Sequence, residues 1–123
     1  MAEHNSTGKW GEDVATEFLT SKGYAIVDRN WRVGHLELDV VAVRDGEIVF
    51  VEVKTRSDDR VDPLDAIDSR KIRHIANSAN AYLQCHDYPH NPRFDVIAVS
   101  GVPGGGFTIE HIIDAFDAPL KTY

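Results

Sequence analysis

The sequence predicts an α/β protein, a mixed β-sheet flanked by α-helices in the order helix, strands, helix, strands. Three observations carry this. Residues 10–22 and 67–85 each repeat apolar side chains with a helical period. Short runs rich in β-branched residues lie between and after them. Asp45-Gly46 joins two of these runs with a strong two-residue hairpin signal.

In the first helix Trp10, Val14, Ala15, Phe18 and Leu19 form the apolar arc, and Gly23 stands where a helix-ending glycine belongs. Tyr24 to Val27 reads as a short strand, and Asn30 to Leu36 as irregular or extended. Glu37–Val43 and Ile48–Thr55 are the arms of the hairpin. The second arm starts apolar on both faces, so it is expected to be central in the sheet. Asp62-Pro63 reads as the start of the second helix, with Asp62 as cap and Pro63 in the first turn. Ile67, Lys71, Ile75, Ala79 and Tyr82 or Leu83 then recur up to Cys85. Tyr88–Pro92 is a loop, Phe94–Ser100 a strand, Pro103–Gly106 a turn, and Phe107–Ile113 the last strand.

A length of 123 residues fits one domain, with 1–9 as a loose N-terminus and 114–123 as a C-terminal tail. No apolar run approaches the ~18 residues of a membrane helix, so no membrane partner is expected. The single cysteine, Cys85, excludes an internal disulfide and fits a reducing cytoplasm. Net charge is -7, which argues against tight binding to nucleic acid. Nine of the 13 basic residues nevertheless fall between Arg29 and Arg73, a diffuse stripe interleaved with acids.

Counting back from a two-residue turn, Asp39 faces Glu52 and Glu37 faces Lys54, all four on one face of the sheet. Opposed carboxylates repel unless a cation lies between them, and oxygen donors suit Mg²⁺ or Mn²⁺. A lysine two residues beyond Glu52 can stabilise charge developing on a phosphate. The bland alternative is a cross-strand ladder of salt bridges. Against it, Glu52, Lys54 and Asp39 interrupt otherwise apolar strands. Glu12 lies at the edge of the first helix's apolar arc, and Gly11 inside that arc permits close approach to the sheet. Glu12 is thus either a further ligand above the site or a solvent-facing glutamate. Lys71, inside the second helix's arc, is either a phosphate contact or a snorkelling lysine. Cys85, His86 and His90 lack a second ligand pair with zinc spacing, and Gly104–Gly106 precede a strand rather than a helix, unlike a nucleotide-binding loop.

Gly11-Glu12, Gly23-Tyr24, Asn30-Trp31-Arg32, Glu37-Leu38-Asp39, Phe50-Val51-Glu52-Val53-Lys54-Thr55-Arg56, Lys71 and Arg93-Phe94-Asp95-Val96 together resemble the bacterial YraN family. That family is similar to Holliday junction resolvases and other nucleases of the PD-(D/E)XK fold. The resemblance implies a restriction-endonuclease-like α/β fold with a four-stranded mixed sheet. It implies Asp39, Glu52 and Glu12 as ligands of Mg²⁺ or Mn²⁺ and Lys54 as the catalytic lysine. Leu36 stands where the family usually has glycine, and Leu38 where the fold's motif has proline. The expected activity is metal-dependent hydrolysis of DNA phosphodiester bonds, branched or junction DNA included, with Arg56, Lys71 and Arg32 on phosphates and Glu37 auxiliary. The alternative is a nucleic-acid-binding or partner-binding module of the same fold with little catalysis; a homodimer is left open. A glycosidase using two carboxylates accounts for neither the lysine nor the lack of a flanking sugar-stacking aromatic.

Overall fold

The structure is a computed structural model, and it describes residues 2–57, 62–86 and 92–118. Arg60, the expected loop over 88–91 and the tail from 119 lie outside these. The elements run α1 (Ala2–Ser21), β1 (Ala25–Val33), β2 (Leu36–Arg44), β3 (Glu47–Arg56), a 3-10 turn (Pro63–Ala66), α2 (Ser69–Cys85), β4 (Pro92–Gly101) and β5 (Phe107–Ile112). The sheet order is β1-β2-β3-β4-β5. The β3–β4 pair is parallel and the other three are antiparallel. The parallel pair needs a long crossover, which α2 supplies.

The sheet therefore has five strands rather than the four that the resemblance implies. The sequence itself already holds five strand runs; what differs is β1, one nine-residue strand through the stretch that reads as a short strand plus irregular chain. Its alternation is hidden by two breaks. The pairing with β2 slips between Ile26 and Asp28, leaving Val27 as a bulge, and Asn30 takes a left-handed φ of 50°.

The hairpin forms in the expected register, Arg44 opposite Glu47, with positive φ at both Asp45 (52°) and Gly46 (81°). The α1 helix starts at Ala2, eight residues before its apolar period begins. The α2 helix starts later than expected. Asp62 caps only the 3-10 turn, accepting from the Leu64 N–H at 2.9 Å, while Asp68 caps α2 by accepting from the Lys71 N–H at 2.8 Å.

Each helix covers one face of the sheet. On the α1 side Ala15 and Leu19 pack with Val40, Ala42, Val49, Val51, Ile97 and Val99. On the α2 side Ile75, Ala79 and Tyr82 pack with Leu38, Val41, Ile48, Phe50 and Phe94. The chain after β5 returns to the second core, where the Ala115 N–H donates to the Phe94 carbonyl and Phe116 stacks on Phe94. Among the described residues no helix is long and apolar enough to cross a membrane.

The β3 strand alternates cleanly, with Val49, Val51 and Val53 toward α1 and Ile48 and Phe50 toward α2. The β2 strand does not: Leu38 shares a core with Val41, and Val40 belongs to the other. The strand rolls between Leu38 and Val40, opposite the left-handed Asn30, and Asp39 occupies the roll.

Candidate metal and nucleic-acid site

The β2–β3 ladder ends at the Val40–Val51 pair. Beyond it the Asp39 carboxylate substitutes for a backbone partner, accepting from the Val53 N–H at 2.9 Å. Asp39 is thus wedged where the two strands part. Burial first, then the charge of Glu52, pushes its carboxyl up to about 7, against the opposing Val53 hydrogen bond. The proximity of Asp39 to Glu52 expected from the register is therefore felt electrostatically.

The expected single face is not what the structure shows. By the alternation of β3, Glu52 and Lys54 project toward α2. Lys71 of α2 reaches Glu52 Oε2 at 3.0 Å, and Lys54 reaches the same oxygen at 3.4 Å. Among the described residues the Glu37–Lys54 rung is not formed; Glu37 pairs with Arg32 instead, at 3.4 Å. The roll of β2 is the cause, since it takes Glu37 out of the register counted from the turn.

Glu12 approaches from the α1 side. Gly11 makes this possible: a Cβ there would collide with the Thr55 side chain, 3.1 Å from its Cβ and 3.3 Å from its Cγ2. Glu12 is buried and accepts from Asn30 Nδ2 at 2.9 Å, with Arg29 3.5 Å away. Burial raises its pKa, tempered by Arg29. Arg29 also pairs with Asp13 at 2.6 Å. Glu12 and Asp39 line one cavity of about 780 Å³, whose walls include Lys9, Arg29, Arg32 and Thr55. That size suits a ligand site.

The set is nearly neutralised from within. Glu12 has Arg29, and Glu52 has Lys54 and Lys71. Asp39 has no ion pair among the described residues and relies on a backbone N–H. Three acidic, histidine or cysteine side chains never come close enough together, among the described residues, to hold a metal ion. The donor chemistry still fits a hard divalent cation, because Asp39 and Glu52 are oxygen donors whose mutual repulsion such an ion relieves, and Mg²⁺ commonly uses one or two carboxylates plus water. Of the expected phosphate contacts, Arg56 donates through Nε to Ser100 Oγ at 2.8 Å, Arg32 holds Glu37 and Lys71 holds Glu52.

Sequence reasoning missed a second polar cluster at the other end of the sheet. Asp95 is fully buried on β4 and accepts from Arg93 Nε at 2.9 Å and Nη2 at 2.8 Å, and from the Asp114 N–H at 3.0 Å. His111 Nε2 lies 2.7 Å from its Oδ2. Arg93 continues to Tyr24 and Glu47. Burial raises the Asp95 pKa, but His111, Arg93 and the Asp114 N–H outweigh it and hold the carboxyl below its ordinary value. The signal was present: Asp95 interrupts an apolar strand as Glu52 does, and Arg93 precedes it by two residues on the same face.

A five-stranded mixed sheet between two helices, with carboxylates where two central strands diverge, is compatible with the restriction-endonuclease-like class of α/β proteins. The profile of the uncharacterised protein family UPF0102 matches residues 11–99. A UPF0102 protein of Bacteroides fragilis is 50% identical over 121 residues, covering 98% of this chain and 99% of that protein. A UPF0102 protein of Bacteroides thetaiotaomicron is 47% identical over 121 residues, with 98% and 99% covered. One of Flavobacterium psychrophilum is 44% identical over 117 residues, with 94% and 98% covered. The chain belongs to the UPF0102 family, to which the YraN resemblance also points.

Proposed function

We propose that this chain is a metal-dependent endonuclease that hydrolyses DNA phosphodiester bonds, with branched or junction DNA as the first substrate class to test. The observation that supports this best is Asp39, half-buried in the strand divergence beside Glu52, with its carboxyl pushed up to about 7 and no ion pair among the described residues. Asp39, at the strand divergence, and Glu52, on the α2 side of β3, would hold Mg²⁺ or Mn²⁺, with Glu12 on the α1 side in the cavity that Asp39 also lines. When bound, such an ion polarises the phosphate and lowers the pKa of a water. Lys54 places an ammonium beside Glu52, where it stabilises negative charge as the phosphoryl group is attacked. Lys9, Arg29 and Arg32 line the cavity and receive backbone phosphates.

The test is cleavage of labelled duplex, three-way and four-way DNA with and without Mn²⁺. Wild type should cut only with metal. Lys54→Ala should lose roughly 100- to 1000-fold in rate while keeping its melting temperature. Cleavage that ignores both metal and Lys54 would refute the assignment. The second reading is a binding module that keeps the fold without turnover. It is favoured by the absence of a three-ligand cluster among the described residues and by the ion pairs that occupy Glu12 and Glu52. Binding without cutting on every DNA shape would select it.

A further inference from the structure

Lys71 is the feature that the reading above leaves unexplained. It is a lysine on the sheet-facing side of α2, about one-third exposed, and its closest partner is Glu52 at 3.0 Å. Lys54 already serves the same Glu52 oxygen from within β3. The second ammonium sits among the charges of Glu52, Asp39 and Glu37, which together outweigh the burial that opposes its charged form. It therefore stands next to the two carboxylates proposed to take a divalent ion. A divalent ion there would repel the ammonium strongly, since close charges in a partly desolvated site interact far more than in water.

We propose that Lys71 is an exchangeable counter-cation: without metal it neutralises Glu52, and when a divalent ion takes Glu52 it passes to a backbone phosphate of the bound nucleic acid. This deepens the metal-dependent reading above and rests on it. The flexible four-carbon stem makes the exchange a side-chain rotation, with α2 staying in place. The device has two consequences. It keeps the Asp39–Glu52 pair from being fully exposed as two bare carboxylates in the empty protein. It also makes metal and nucleic acid help each other, because each partner removes a cost that the other would meet. Such coupling is reciprocal by thermodynamic linkage.

The experiment titrates Mn²⁺ alone, by calorimetry, into the full chain and its Lys71→Met, Lys71→Gln and Arg73→Gln variants, each checked by thermal melting. Met keeps most of the lysine's apolar stem, and Gln guards against misfolding of either variant. Arg73 lies on the same helix and is exposed, so its removal reports bulk charge alone. Both Lys71 variants should bind Mn²⁺ about 5- to 100-fold more tightly than wild type. Arg73→Gln should stay within about twofold, because exposed charges are screened. Equal affinity for wild type and both Lys71 variants overturns the exchange and leaves the metal reading standing. Equal tightening by the Lys71 and Arg73 variants also overturns it, as bulk charge. No Mn²⁺ binding by any of the four overturns both readings. In a second arm, Mn²⁺ should raise the affinity of wild type for a labelled DNA duplex, measured by anisotropy. That enhancement should shrink in Lys71→Met; an undiminished enhancement overturns the exchange.

Discussion

Asp39→Asn isolates the electrostatic cost that the strand divergence imposes. The Asn oxygen can still accept from the Val53 N–H, so the main loss is the charge. The sign follows from linkage. The folded carboxyl titrates at about 7 against an ordinary value of 3.8, so between these values the folded state binds more protons than the unfolded chain. Stability contributed by Asp39 is full below pH ~4, falls as pH rises, and is lost above pH ~7. At 1.36 kcal/mol per unit the whole effect is at most about 4 kcal/mol, with roughly 2.5–3 kcal/mol of it between pH 5 and pH 8. Urea unfolding of wild type and Asp39→Asn at pH 5 and pH 8, without divalent metal, measures it. The variant should be the more stable protein at pH 8, by about 2–4 kcal/mol or several degrees in Tm. Adding Mn²⁺ should close the gap by stabilising wild type alone. Equal pH dependence in the two proteins would show that Asp39 carries no such strain and would remove the main support for a metal between Asp39 and Glu52.

Gly11→Ala should destabilise the chain by about 1–3 kcal/mol, because its methyl meets Thr55; thermal melting of Gly11→Ala, Thr55→Ala and the double variant should show a clear rescue in the double. Arg93→Met should cost about 3–5 kcal/mol in chemical denaturation, since it strips the buried Asp95 of its cation. Tyr24→Phe in the same network should cost less, about 1.5–3 kcal/mol, the worth of one hydrogen bond to a charged group.

Much of the local geometry around the candidate site was legible from local chemistry. Asp45-Gly46 determined the hairpin and its register, and the charged residues interrupting β2 and β3 marked Asp39, Glu52 and Lys54. Gly11 within an apolar arc pointed to a close helix approach, and Thr55 is the surface it meets. The register count failed past Val40, because a side chain replaced a backbone group in the ladder and β2 rolled. Strand alternation cannot foresee such a substitution. The extent of β1 was hidden for a similar reason: the bulge at Val27 and the left-handed Asn30 erase its period. Asp62-Pro63 satisfied every rule for a helix start, yet Asp68, without a proline, won the longer helix. The Asp95 network was lost because its members are scattered from Tyr24 to Asp114 and meet only in the folded chain.

The two outermost strands bear on how the molecule behaves at high concentration. An open sheet offers bare N–H and C=O groups along both rims, which invite another chain to extend it. Here one rim, β1, is bent by its bulge and its left-handed residue and carries Asp28, Arg29 and Arg32. The other, β5, is only six residues long and places exposed Thr108 and Glu110 beside Phe107, whose ring lies edge-on to Trp10. Neither rim is a long flat template. The irregularity at Asn30 that brings its side chain to Glu12 thus also blunts an edge against templated aggregation, so one local distortion serves both site geometry and colloidal stability.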